Sequence, residues 1–231
     1  MSWYGFFRAL TWGGVRFVFH PTVEGLEHLP EDGPFLLVAN HVSALDPILV
    51  QGPCRRHVHA MTKSTQFTNP AFQWALPRVL AFPARRYRVD PQAVRTALRY
   101  LSAGCVVGLY PEGERSWDGS LQPFRRGAIR LILKANVPVV PCGLSGAFEI
   151  FPRWSRRAVP HPVAVRYGPP IHFGPHPTRA AREAALEGAS RRLASAISAL
   201  TTPAGHAIES GEAALARLQA RHRTESQVAS P

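Results

Sequence analysis

The 231 residues suit one domain, and 45% hydrophobic content with 18% charged residues supplies apolar surface for a sizeable core. Cys54, Cys105 and Cys142 form an odd set without a Cys-x-x-Cys pair, which argues against a disulfide framework and a zinc site and for a reducing cytoplasm. The net charge of +12, carried almost wholly by arginine, implies anionic partners, yet charge alone does not separate nucleic acid, a negatively charged membrane leaflet and a phosphorylated small molecule.

Residues 3–19 hold ten large apolar side chains and only Arg8 and Arg16 as charges. Trp3, Phe6, Phe7 and Leu10 share one face of a predicted helix, which suits either a bilayer interface or the domain's own core, with Gly13-Gly14 as the expected break. The segment lacks the marks of a signal peptide, and no stretch reaches the ~18 apolar residues of a spanning helix, so the chain is expected not to cross a membrane by itself.

From Phe35 the chain alternates short apolar runs with amphipathic stretches. Phe35–Ala39, His57–Met61, Val79–Phe82, Cys105–Tyr110, Val137–Cys142 and Pro162–Tyr167 read as strands. Pro91–Ala103 and Ala128–Lys134 read as helices between them, and residues 178–200 as a longer amphipathic helix. This alternation predicts a single α/β domain with a mixed, largely parallel sheet covered by helices. After Thr201-Thr202-Pro203 a loosely held helix and a flexible tail are expected.

The first strand delivers Asn40 and His41 to its C-terminal end, where ligands of open α/β sheets bind. A helix from His41 to Asp46 would set the two about 140° apart at ~100° per residue. A turn is therefore needed for contact, and Pro47 supplies the reason by pushing Asp46 out of helical geometry. Asp46 is expected to cap the following helix with one oxygen and accept the His41 N–H with the other. A His so oriented is a general base that can take the proton of a substrate hydroxyl. Backbone N–H groups at the helix starting at Pro47 are the candidate oxyanion donors.

Two further runs follow predicted strands. Phe82-Pro83-Ala84-Arg85-Arg86-Tyr87-Arg88 offers guanidinium groups for a phosphate, with Arg85 or a neighbour as the contact. In Tyr110-Pro111-Glu112-Gly113-Glu114-Arg115-Ser116, Gly113 permits close backbone approach and Arg115 can grip phosphate.

Together these runs resemble the 1-acylglycerol-3-phosphate acyltransferase family of glycerolipid synthesis, over roughly residues 25–146. Asn40-His41 through Asp46-Pro47 looks like its His-(four residues)-Asp block, Phe82 to Arg85 its arginine block, Tyr110 to Ser116 its Pro-Glu-Gly block, and Val137 to Pro141 its Pro-containing strand. The resemblance implies a glycerolipid-acyltransferase-like fold and a His41–Asp46 dyad. It implies transfer of a fatty acyl group from coenzyme A or acyl carrier protein to the hydroxyl of a lysophospholipid, with no cofactor and no metal. It further implies that Arg85, Glu112, Gly113 and Arg115 bind or orient the acceptor at an anionic membrane surface, on the cytoplasmic face of the cell membrane.

Two positions depart from the pattern. Glu114 stands where Thr is usual and adds negative charge beside the phosphate site. Gln66 stands where Glu is common, so Lys63 receives no role. The expected organisation is an amphipathic segment over 1–24, the acyltransferase domain over 25–200 and a tail over 201–231.

Three other readings compete: a different lysolipid head group, a serine hydrolase using Ser145 in Gly143-Leu144-Ser145-Gly146-Ala147, and a non-catalytic basic module on anionic membranes. The arginines are scattered rather than grouped on one predicted helix, so no nucleic-acid partner is expected.

Overall fold

Phe35–Ala39 is apolar at all five positions, and a strand of that kind must be covered on both faces. In the computed structural model, which describes residues 3–85 and 90–201, it lies in the middle of a sheet with helices on either side. Among the described residues seven strands form that sheet: β1 (Thr22–Glu24), β2 (Phe35–Ala39), β3 (Val58–Lys63), β4 (Ala81–Ala84), β5 (Val106–Leu109), β6 (Val139–Ser145) and β7 (Ala164–Tyr167). Their order is β1-β7-β6-β2-β5-β3-β4, parallel throughout except between β6 and β7. The expected mixed, largely parallel sheet is present.

β2 has its expected bounds and β7 its expected end; the other strand ends moved by one to three residues from expectation. Leu80 takes a left-handed backbone (φ 58), so β4 starts after it rather than at Val79. The strand β1 was unforeseen because its three residues are too short for a pattern; it places 22–24 inside the sheet rather than in the preceding segment.

Alternate residues of β2 feed two cores. Phe35, Leu37 and Ala39 pack with Val15 of α1 (Trp3–Phe19), Leu49 and Val50 of α2 (Asp46–Gln51), and Ala147 and Ile150 of a short helix after β6. Leu36 and Val38 pack on the opposite face. The helix α3 (Pro70–Ala75) sits beside α1, through Trp74 against Trp3 and Phe7. On the opposite face lie Ala97 and Leu101 of α4 (Pro91–Ser102), Ile129 and Ile132 of α5 (Arg126–Ala135), and Leu193 and Ile197. The short helix after β6 is α6 (Ala147–Ile150), and Leu193 and Ile197 belong to α7 (Arg179–Thr201).

Gly13 and Gly14 do not break α1, although each costs roughly 0.5–1 kcal/mol against Ala in a helix. The helix is pinned on both sides of the pair. The Tyr4 hydroxyl accepts from Val58 N at 3.1 Å, Trp12 packs where a Cβ of Gly52 would stand, and Val15 is buried. At the other end of the chain, a Cβ on Gly143 would lie 2.5 Å from Leu200, so a glycine there lets α7 approach β6. Residues 202–231, expected to form a loose helix and tail, lie outside the described residues, as do Arg86, Tyr87 and Arg88.

Candidate active site

Because β2, β5, β3 and β4 run parallel, their C-terminal ends share one edge of the sheet. The catalytic candidates are built there. At the end of β2, the Asn40 amide exchanges two hydrogen bonds with the Leu144 backbone, donating to O at 3.0 Å and accepting from N at 2.8 Å. Asn40 thereby extends the β2–β6 pairing by one side-chain bridge and fixes where the next residue leaves the sheet. That residue is His41.

The chain turns between His41 and Asp46 and returns Asp46 to the imidazole, although Asp46 is the first helical residue of α2 and is not pushed out of helical geometry by Pro47. Asp46 Oδ2 accepts from His41 Nδ1 at 2.7 Å, Val42 N at 2.7 Å and Ser43 N at 2.8 Å. An oxygen that already receives two backbone N–H groups acts as an acceptor toward the ring as well. Nδ1 therefore carries the ring proton and Nε2 keeps the lone pair a base requires. Asp46 is fully buried, whereas the His41 side chain keeps 12% of its surface exposed.

The forward helix cap expected of Asp46 is absent. Asp46 is the first residue of α2, and both backbone bonds it receives come from the preceding turn; its Oδ1 is buried without a partner. Nor does α2 offer oxyanion donors: Pro47 has no N–H, and Ile48 N and Leu49 N both donate to Leu45 O.

The loop after β5 closes on the same turn. Tyr110 stacks on the His41 ring with centroids 4.2 Å apart and planes 19° apart. Glu112 is 2% exposed, and its two oxygens are occupied by His41 N at 2.6 Å and Gln122 N at 2.8 Å. Ser116 N donates to His41 O at 2.7 Å. Both backbone polar groups of His41 are thus held by this loop, one by Glu112 and one by Ser116. Glu112, expected to bind or orient the acceptor, is buried and holds the backbone of His41 and Gln122 with its two oxygens. Burial pushes its carboxyl up to about 8, against the pull of the two backbone N–H groups and with a further push from the charge of Asp46.

Gly113 sits at φ 79, and a Cβ there would lie 3.2 Å from Arg125 Cγ, so the position demands glycine. Glu114 does not add a bare negative charge to the site. Its two oxygens pair with Arg125 and Arg153, each at 2.9 Å. Among the described residues the Arg115 guanidinium has no hydrogen-bond or ion-pair partner, while its backbone O accepts from Arg153.

Arg85 is exposed at the C-terminal end of β4, where its backbone N–H donates to Asp90 Oδ2 at 2.8 Å. It shares the sheet edge with His41, but β5 and β3 lie between, a lateral offset of about 14 Å at ~4.8 Å per strand. Ser145 is the last residue of β6, paired with Ala164, and its hydroxyl accepts from Arg166 at 3.2 Å. It lies on the same face as Gly143, toward α7; in the turn from β6 into α6 the left-handed backbone falls on Gly146 and not on Ser145.

The roles of Asn40, Arg125 and Arg153 escaped the sequence reading. Their partners lie 104, 11 and 39 residues away, and no local pattern marks such pairs. A model of the family described as Acyltransferase matches residues 20–145, more than half of the chain and the whole span from β1 through the catalytic turn to β6. The chain belongs to this acyltransferase family.

The chain is 34% identical over 164 residues to the chloroplastic 1-acyl-sn-glycerol-3-phosphate acyltransferase BAT2 of Brassica napus, covering 67% of this chain and 46% of that protein. It is 28% identical over 188 residues to the 1-acyl-sn-glycerol-3-phosphate acyltransferase of Bacillus subtilis, covering 78% of this chain and 87% of that one. It spans about half the length of the chloroplastic relatives it matches. Its fold is shared with the crystal structure of the 1-acyl-sn-glycerophosphate acyltransferase PlsC from Thermotoga maritima, at a TM-score of 0.66 and 24% identity over 80% of this chain and 76% of that one.

Proposed function

We propose that this acyltransferase moves a fatty acyl group from a thioester to the free hydroxyl of 1-acylglycerol-3-phosphate, forming phosphatidate. The observation that carries the reading is the His41–Asp46 pair: an imidazole whose Nδ1–H is held by a buried carboxylate and whose Nε2 is left for the substrate. His41 Nε2 takes the proton of the acceptor hydroxyl as its oxygen attacks the thioester carbonyl. The C–O bond forms, the C–S bond of the tetrahedral adduct breaks, and the imidazolium returns its proton to the leaving sulfur. Asp46 stabilises the imidazolium in between, and no acyl-enzyme is formed.

The acceptor phosphate is assigned to Arg115, whose guanidinium has no protein partner among the described residues, with Arg85 approaching from the β4 side. The pairing of Glu114 with Arg125 and Arg153 removes the objection its charge raised against a phosphate-bearing head group. The donor is acyl-coenzyme A or acyl carrier protein, both anionic and both suited to a chain of net charge +12.

The protein works at an anionic membrane surface, on its cytoplasmic face, and the membrane contact is supported by α1. Trp3, Phe6 and Leu10 are exposed there, and Trp3 and Phe7 contact Trp74 of α3, on which Arg78 stacks at 4.2 Å. Exposed aromatics with arginine on a short amphipathic helix match a bilayer interface. Among the described residues no helix is long and apolar enough to cross a membrane.

The deciding assay is transfer of labelled palmitoyl from its coenzyme A thioester to lysophosphatidate in anionic vesicles. Wild type transfers, and H41A loses about 10²–10⁴ of the rate while remaining folded by circular dichroism. An H41A protein as active as wild type would refute the mechanism.

A further inference from the structure

A second exposed aromatic group stands beside the turn that carries His41. Trp117 is 59% exposed and Trp154 58%. Neither ring hangs loose. The Arg153 guanidinium lies 4.0 Å from the centroid of Trp117, and Phe148 meets Trp154 edge-on at 5.4 Å. Arg153 is itself anchored by Glu114 at 2.9 Å and by Arg115 O at 3.2 Å. An exposed indole supported from beneath by a guanidinium or a second ring has a fixed orientation, which incidental surface aromatics lack.

The patch is joined to the site by two bonds. Ser116, next to Trp117, donates from its N–H to His41 O, and the Ser43 hydroxyl donates to Phe151 O at 3.1 Å, three residues before Trp154. The charge around it is positive. Residues 146–161 contain Arg153, Arg156 and Arg157 against Glu149, and exposed Val159 adds apolar surface. The nearby carboxylates are engaged: Glu114 pairs with two arginines, and Asp118 accepts from Ser116, Ser120 and Gln122 within its own loop.

We propose that Trp117, Trp154 and the Arg153–Arg157 segment form a second membrane contact, which seats the catalytic turn on an anionic bilayer so that a lipid acceptor reaches His41 without leaving the interface. The occupant is a bilayer because the patch is continuous with a site assigned a lipid substrate. Indole and guanidinium are also the side chains that the headgroup region accommodates, and the excess positive charge complements anionic lipid. The proposal rests on the reading of a lipid acceptor.

The test is co-sedimentation of the full chain with vesicles of phosphatidylcholine and phosphatidylglycerol. W117A/W154A lowers the partition coefficient about tenfold, and R156E/R157E produces a similar loss that disappears on pure phosphatidylcholine vesicles. Both pairs of side chains are outside the core, and circular dichroism verifies the fold of each variant. Transfer to vesicle-embedded lysophosphatidate falls with binding in W117A/W154A, whereas transfer to a short-chain, water-soluble lysophosphatidate is unchanged. Binding of W117A/W154A within about twofold of wild type overturns the proposal, whatever the transfer assays give. Reduced binding with no transfer by any protein leaves this contact standing and removes the proposed acceptor instead.

Discussion

Two turns at neighbouring strand ends each contain a buried carboxylate, and the two groups are used in opposite ways. After β2, Asp46 gathers three N–H donors on one oxygen, one of them the imidazole of His41. After β5, Glu112 spreads itself across two backbone N–H groups and touches no side-chain donor. Asp46 thus acts on the ring and sets which nitrogen keeps its lone pair, that of the proposed base. Glu112 acts on the backbone and sets where that ring stands. A buried acid next to a catalytic histidine is therefore not evidence of catalysis until the atoms it accepts from are known.

Replacing each acid by its amide separates the two roles. In D46N the amide oxygen can still accept from Val42 and Ser43, but the side chain bears no charge to stabilise the imidazolium. The expected outcome is a fall in kcat of about 10²–10³ with KM nearly unchanged, measured by steady-state transfer. An Asp46 variant that lost binding rather than turnover would erase the contrast.

E112Q keeps one acceptor and turns an amide N–H toward either His41 N or Gln122 N. An unpaired buried donor costs about 1–3 kcal/mol, so a lower Tm and a roughly tenfold lower kcat are expected, with KM unchanged. The pH profile of stability sharpens the assignment. Burial raises Glu112 to about 8 in the folded chain, against about 4.3 when unfolded. Between those values the native state holds a proton the unfolded chain has released. Stability from this group is complete below about pH 4.3 and is lost as pH rises through about 8. Thermal melts of wild type should show that decline, and E112Q should flatten it. A wild-type curve with no such component would mean that Glu112 is charged throughout.

The same loop carries the smaller effects. R115A, which removes a guanidinium without a protein partner among the described residues, is expected to raise KM for lysophosphatidate about tenfold with kcat little changed. R85A should do less, because Arg85 is three strands from β2. S145A is expected to change activity by less than about twofold, since the Ser145 hydroxyl faces Arg166. A large loss in S145A, with a covalent acyl-serine in the wild type, would revive the hydrolase mechanism.

Several of these features were legible in the chain alone. The five apolar residues of β2, the helical periodicity of α4, α5 and α7, and the need for a turn before Pro47 all depend on the order of near neighbours, and each was found where expected. The direction of Asp46's hydrogen bonds was not, because whether a carboxylate caps forward or backward depends on a rotamer set by packing. The expectation of a break at Gly13-Gly14 failed for a related reason: intrinsic propensity yields where Tyr4, Trp12 and Val15 are anchored from outside the helix.

Sequence by itself thus determined the excess of arginine, a matter of composition, and the local elements and the His41–Asp46 spacing, which are properties of residues near one another in the chain. Tertiary structure alone decided that Glu112 serves the backbone of His41 across 71 residues, that Glu114 is neutralised by Arg153 across 39, and that the ends of β2, β5, β3 and β4 share an edge. Such pairs depend on strand order and on the depth of burial, and a carboxylate announces neither in its sequence neighbourhood.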